Sequence, residues 1–284
     1  TGFRRLLSNA VGAKWQSYSK YLKMKEAIVF PTPEGDEIPI WTLAKAMDAG
    51  WMFRIPVQER TGNGYIFDSD FITAEQAHTE VEKYLGHSVE VAKHIKFDPG
   101  TLDKAWIGNV CAIGLSQSFV EPLEASSIGS SINQTFLLAQ RLINYNQETI
   151  NRYNLEVTAI MDNIRDFIVL HYITERRDTP FWKAVSETTI PDSLDKNLRM
   201  WKVRMPIADD MTTYTKKVLF NEYNYALVMH GLGLFDNESI LKQYETIPQG
   251  AKDHVEQSIQ HKLEFDKTKT IPHKLMLQLL RRLT

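Results

Sequence analysis

The chain has 284 residues, room for one large domain or two modest ones, and 43% of them are apolar against 24% charged, as in a globular protein with a sizeable core. Thirty-three Lys and Arg against 35 Asp and Glu leave a net charge of −2, which argues against a dedicated nucleic-acid binder. A single cysteine, Cys111, excludes an internal disulfide framework and suits a reducing, cytoplasmic setting, and no apolar run approaches the roughly 18 residues of a membrane span.

Residues 1–145 read as short β-like runs separated by turns. A strand is expected at Ala27–Phe30, before the breakers Pro31, Pro33 and Gly35. Trp51–Glu59 and Tyr65–Phe71 are rich in aromatic and β-branched residues and flank Thr61-Gly62-Asn63-Gly64, so the pattern predicts an antiparallel hairpin turning at Asn63-Gly64. Pro56 cannot donate a ladder hydrogen bond, which predicts an edge or bulged strand there. Thr73-Ala74-Glu75-Gln76 has capping-box spacing and opens a helix expected to stop at Gly86. Strands follow at His94–Phe97 and Trp106–Ile113, then a helix over about Glu124–Asn144.

Residues 146–284 read as helix. Val157, Ile160, Met161, Ile164, Ile168 and His171 keep the i, i+3, i+4 spacing of one long amphipathic helix beginning near Gln147. Further helices are predicted at Ser193–Val203, Asn221–His230, Glu238–Tyr244, Ala251–Phe265 and Pro272–Leu283. The fold class is α+β, a β-containing portion followed by a helical one.

Chemistry concentrates in Trp106–Ser131, WIGNVCAIGLSQSFVEPLEASSIGSS. Glu121 and Glu124 sit at a helix entrance, where unpaired N–H groups of Ser126, Ser127 and their neighbours could hold an anion. On pattern alone they also read as ordinary first-turn acids and serine caps. Alternation puts Trp51, Phe53 and Ile55 on one strand face, with Met52 and Arg54 opposite, a row that serves either as core or as a wall beside a flat ligand. The eight histidines lack metal-ligand spacing, so no metal is expected; His171 reads as a hydrogen-bonded core histidine, and Cys111 as buried and inert. No G-x-S-x-G, G-x-G-x-x-G or Walker A sequence occurs, and the basic pairs, Arg176-Arg177 among them, read as isolated and solvated.

Three blocks, Thr1-Gly2-Phe3-Arg4-Arg5, Gly50–Phe67 and Trp106–Ile128, together resemble the flavin-dependent halogenases of the tryptophan-halogenase type. Trp51-Met52-Phe53-Arg54-Ile55-Pro56 matches that family's W-x-W-x-I-P signature, with Phe53 in place of the second Trp. The resemblance implies a flavoprotein-monooxygenase-like α/β fold and the C-terminal portion of a longer enzyme whose dinucleotide-binding unit and halogenating lysine lie upstream. It implies FAD, reduced by a separate flavin reductase, as cofactor and a halide ion as co-substrate. In that chemistry a flavin hydroperoxide oxidises halide to hypohalous acid, which halogenates an aromatic, indole-like substrate in a separate pocket. By the same resemblance Glu124 is the catalytic glutamate, and Ser126 and Ser127 bind halide through their amides. Ala125 stands where many relatives have Ser. Thr1, Gly2, Trp51, Phe53, Ile55, Pro56, Gly114, Leu115 and Ser116 face the cofactor. Trp182, Trp201, Tyr223 and Tyr225 are the substrate-side candidates, residues 146–284 shape that pocket, and the enzyme is expected to be a homo-oligomer. A flavin monooxygenase of the same architecture and a non-catalytic helical scaffold stand as alternatives.

Overall fold

Strand alternation decides the first half of the molecule. The computed structural model describes residues 5–33, 35, 38–57, 59–211 and 218–281. After a short helix α1 (Leu6–Ala10) and strand β1 (Trp15–Ser17) come β2 (Glu26–Pro33), β3 (Leu43–Ala46), β4 (Gly50–Val57) and β5 (Arg60–Phe67). Helix α2 (Ala74–Leu85) and β6 (Lys93–Lys96) follow. The last five strands of this set form one antiparallel sheet in the order β3-β4-β5-β2-β6. Ile28, Phe30, Met52, Tyr65 and Phe67 point to the face covered by Ala77 and Val81 of α2, while Ala27, Trp51 and Ile66 point to the other face. A period of two therefore gives the sheet two apolar faces, each with its own cover.

The predicted hairpin exists as β4–β5, but its turn is elsewhere. Val57 pairs with Arg60, so the chain reverses between those two residues, and Glu59 takes a positive φ of 69°. Asn63 and Gly64 lie inside β5, opposite Arg54 and Phe53. Two packing demands override the turn signal. A Cβ on Gly64 would stand 2.4 Å from the Phe53 ring, so glycine is needed to let that ring lie over the strand. The Asn63 side chain is fully buried and its amide reaches the Phe30 and Thr61 carbonyls and the Thr32 hydroxyl at 3.0–3.2 Å. Pro56 is likewise not on an edge strand: β4 is flanked by β3 and β5, and Pro56 lies beyond the end of β3, whose pairing stops at Arg54. Its missing N–H thus costs no ladder bond on that side.

The capping box at Thr73 and Gln76 and the stop at Gly86 (φ 76°) form as expected. Farther on, β7 (Gly100–Leu102) pairs with both β1 and β10 (Ser118–Phe119). The expected strand Trp106–Ile113 is instead a small hairpin, β8 (Trp106–Ile107) and β9 (Val110–Cys111), because Gly108 adopts φ 55°. A 3₁₀ turn at Gly114–Ser116 leads into β10.

Helix α3 (Ser126–Leu142) packs against α4 (Gln147–His171), the long amphipathic helix. Ile150, Tyr153, Val157, Ile160, Met161, Ile164, Phe167 and Ile168 bury one continuous stripe of α4. Leu22, Trp106 and Val120 from the first half and Trp201, Phe220 and Tyr225 from the second join this core, so one apolar cluster runs through both. The remaining helices are α5 (Pro180–Ser186), α6 (Asp192–Trp201), α7 (Glu222–Gly231), α8 (Asn237–Glu245), α9 (Gln249–Lys269) and α10 (His273–Arg281). Among the described residues no helix is long and apolar enough to cross a membrane.

Candidate active site

The segment Val120–Ser127 is held between the sheet, the N-terminus of α3 and the C-terminus of α4. A buried amide chain fixes its approach. Gln134 of α3 accepts from the Gly114 N–H (3.1 Å) and donates to Gln117 (3.1 Å), which donates to Thr101 of β7 (2.6 Å). Each amide thereby uses both ends, so the turn, the small sheet and the helix share one register. Leu123 packs against both the sheet-side cluster and the helical core.

Glu121 and Glu124 precede α3 rather than occupying its first turn, because Ala125 adopts a left-handed conformation (φ 48°) and the helix begins at Ser126. The two acids meet adjacent residues at the end of α4. Glu121 is completely buried, and Oε1 accepts a hydrogen bond from the Tyr172 hydroxyl at 2.5 Å. Burial pushes the Glu121 carboxyl up to about 8, against the lowering effect of the Tyr172 hydrogen bond. Tyr172 is itself pushed well upward, by burial first and by the neighbouring carboxylate second. Glu124 is partly exposed, and its Oε1 lies 2.8 Å from His171 Nε2. On the other side of that ring, Nδ1 lies 2.8 Å from the Phe167 carbonyl. A carbonyl only accepts, so Nδ1 carries a proton, and the Glu124 contact then needs a second proton between ring and carboxylate. His171 is thus the partner of Glu124 and not a core histidine. The stripe pattern placed it on the correct face, but only the tertiary fold supplies the acid.

Among the described residues no side chain caps the N-terminus of α3. Its first amides therefore remain a positive, hydrogen-bonding end. Ser126 is buried and Ser127 exposed. They border a cavity of about 10 Å³, lined also by Gly114, Ser118, Phe119, Val120, Ser130 and Met161, which is room for one water-sized group. The Ser130 and Ser131 hydroxyls donate back to the Ser127 carbonyl at 3.0 and 2.7 Å, which keeps both side chains directed along the helix.

The Trp51-Phe53-Ile55 row becomes progressively less covered along β4: Trp51 is buried, Phe53 half-buried and Ile55 exposed. The Trp51 and Phe53 rings lie 6.1 Å apart in the sheet-side cluster that also receives Leu123 and Tyr172. Pro56 and Gly114 are half-buried, as is Ser116, whose hydroxyl closes the 3₁₀ turn on the Ile113 carbonyl; Leu115 is exposed. Thr1 and Gly2 lie outside the described residues.

The four substrate-side candidates do not line one wall. Trp182 caps the sheet-side cluster and donates its indole N–H to the Met47 carbonyl at 2.7 Å. Trp201 and Tyr225 meet in the helical core with ring centroids 5.1 Å apart, and Trp201 donates to Asp210. Tyr223 is 71% exposed. Arg176 is not a solvated bystander, since its guanidinium stacks 4.8 Å over the Trp182 ring and pairs with Asp178. Cys111 is half-buried, and burial pushes its thiol upward, away from the reactive thiolate. Among the described residues no group of His, Cys, Asp and Glu has the arrangement of a metal site.

Comparison with known proteins identifies the family. Residues 1–244 match the family model of the tryptophan halogenases. The chain is 33% identical over 242 residues to tryptophan 6-halogenase SttH of Streptomyces toxytricini, covering 82% of this chain and 46% of that protein. It is 32% identical over 253 residues to tryptophan 7-halogenase RebH of Lentzea aerocolonigenes, covering 82% and 48% respectively. The chain thus spans about half the length of these relatives. The crystal structure of SttH superposes with a TM-score of 0.83 at 30% identity over 96% of this chain and 54% of that one. BrvH, a flavin-dependent halogenase from Brevundimonas sp. BAL3, gives 0.82 at 26% identity over 98% and 56%. With the mixed α/β fold shared and most of the chain matched, this chain belongs to the tryptophan halogenase family.

Proposed function

We propose that this chain supplies the halide-binding and carboxylate side of a flavin-dependent halogenase that acts on an aromatic, indole-like substrate. The observation that carries the reading is the pairing of Glu124 with the uncapped N-terminus of α3, two residues away, above a cavity sized for a single small group. A monatomic anion suits that cavity, and Ser126 and Ser127 would hold it through backbone N–H groups favoured by the helix dipole.

The residues present fit the isoalloxazine part of FAD. Phe53 and Ile55 offer a partly uncovered apolar strip, and Gly114-Leu115-Ser116 offers an adjacent turn with an exposed side chain. These groups, with Trp51 and Pro56, would hold the ring edge and keep organic substrate from it. When bound and reduced by a separate reductase, the flavin would activate molecular oxygen, the oxidant, so that one oxygen atom oxidises halide to hypohalous acid and the other leaves as water. In the substitution itself a carbon–halogen bond forms as the oxygen–halogen bond of hypohalous acid breaks, a ring C–H bond breaks, and the oxygen leaves as water. Glu124 faces the developing positive charge and takes the proton, while His171 holds the carboxylate in orientation through their shared proton. Residues 1–145 form the flavin and halide side, and 146–284 shape the aromatic pocket.

The test is product analysis with the complete enzyme, a flavin reductase, bromide and an indole substrate. A brominated product, recognised by its isotope doublet, is expected. Oxygenated product without any carbon–halogen bond would replace this reading with a monooxygenase. Protein that retains no flavin and turns over nothing would leave the scaffold alternative.

A further inference from the structure

We propose that Glu121 is a positioning residue of the site: as a neutral carboxylic acid clamped by Tyr172, it fixes the loop that carries Glu124 and the Ser126 and Ser127 amides. This rests on the halogenase reading above and deepens it.

Glu121 is the most completely buried acid near the site, with no exposed surface, and none of its hydrogen-bond partners is a cation. Its Oε1 accepts from Tyr172, while Oε2 has no partner among the described residues. An ionised carboxylate there would leave a buried charge with one neutral donor, an arrangement that interiors do not tolerate without a counter-ion. The neutral acid removes that charge. The surroundings agree: the Trp51 indole N–H is also buried without a hydrogen-bond partner among the described residues, and it acts on the Tyr172 hydroxyl against the upward push of burial. Trp51, Tyr172 and Glu121 thus form a polar file through an otherwise apolar cluster, joining the wall of β4 to the end of α4 and to the loop entering α3.

The backbone gives the file its consequence. Only Pro122 and Leu123 separate Glu121 from Glu124, and the Ala125 N–H bonds to the Pro122 carbonyl at 3.1 Å. That short turn transmits the position of Glu121 to Glu124 and to the left-handed Ala125 that starts α3. Tyr172 and His171 are adjacent, so the two acid contacts are set by one helix end. If Glu121 moves, the carboxylate and the amides move together.

The test uses the complete enzyme with its reductase, and compares E121Q, E121A and Y172F with wild type. Turnover, the KM for bromide and the yield of halogenated product per flavin oxidised are measured, with melting curves and flavin content as checks of folding. Gln is the uncharged isostere, so E121Q should stay within about threefold of wild type in all three, whereas folded E121A should raise the bromide KM about tenfold and lower the product yield. Y172F should move the same way, about threefold. The infrared spectrum of wild type should contain a protonated-carboxyl C=O band that E121Q lacks. The proposal is overturned by E121Q as inactive as E124Q, by folded E121A with an unchanged bromide KM, or by identical carboxyl bands. If E121A fails to fold, E121Q, Y172F and the spectrum decide. A wild type that forms no carbon–halogen bond refutes the halogenase reading instead, while the infrared comparison still reports whether Glu121 is neutral.

Discussion

A neutral acid inside a protein makes stability depend on pH in a direction opposite to the usual salt-bridged carboxylate, and Glu121 allows the size of that effect to be worked out. Its folded value of about 8 stands against an ordinary 4.5. Between those limits the unfolded chain has released the proton and the folded chain still holds it. The contribution is therefore fully present below about pH 4.5 and is lost as pH rises through about 8. At about 1.36 kcal/mol per pH unit, the gap of roughly 3.5 units amounts to about 5 kcal/mol as an upper bound. Glutamine cannot ionise, so E121Q should lack this slope. Urea denaturation of the protein and of E121Q at several values between pH 5 and 8.5 would give the difference directly, since titrations common to both cancel. The variant should gain on wild type by several kcal/mol across that range, starting at or slightly below it at pH 5. A difference that stays within about 1 kcal/mol over the whole range would refute the neutral acid, because that is the scale of an ordinary hydrogen-bond change alone.

If Glu124 acts as proposed, E124Q should behave in the opposite sense to E121Q in catalysis: removing its charge should slow halogenation at least about tenfold with flavin content unchanged, measured as steady-state turnover. H171F should leave Glu124 without its partner and lower turnover by about tenfold with less effect on the bromide KM, while H171Q keeps a donor and recovers part of the loss. Replacing Gly64 by Ala or Val should destabilise the fold by about 1–3 kcal/mol in denaturation curves, because the new Cβ meets the Phe53 ring at 2.4 Å. N63L should cost about 1–3 kcal/mol by leaving the buried Phe30 carbonyl and Thr32 hydroxyl without the donor they share.

What could be read from the residues was whatever a local period or a local cap encodes. The stripe from Val157 to Ile168 is legible because one helix buries one face, and Thr73-Ala74-Glu75-Gln76 is legible because both halves of its cap lie within four residues. Asn63-Gly64 misled because a positive-φ turn and a glycine yielding to a ring use the same letters; the Phe53 ring that decides between them lies across the strand pair, opposite Gly64. Thr179-Pro180 at the start of α5 was a readable cap, with Thr179 accepting from the Trp182 N–H and Pro at the first turn, but the helix is too short to show a period. The short strand β3, with alternating half-buried and exposed residues, carries too little apolar signal to announce itself.

The site divides along the same line. Glu124, Ser126 and Ser127 stand in one contiguous block and could be singled out from it, but what distinguishes the two acids of that block is not local. Glu121 and Glu124 have the same side chain, three residues apart, and differ only in what the end of α4 brings to them from about 50 positions along the chain: a phenol in a dry cluster for one, an imidazole at a partly open edge for the other. Burial makes the first neutral and structural, while the second keeps access to solvent and to a proton donor. Two identical residues thus take two roles because adjacent residues of one helix end face different media. Exchanging those neighbours, as in the double variant H171Y/Y172H, would put an imidazole into the dry cluster and should disable both contacts together, lowering turnover and raising the bromide KM; a change at His171 alone should spare the Glu121 contact, whereas a change at Tyr172 alone should also be felt at Glu124 through the turn at Pro122.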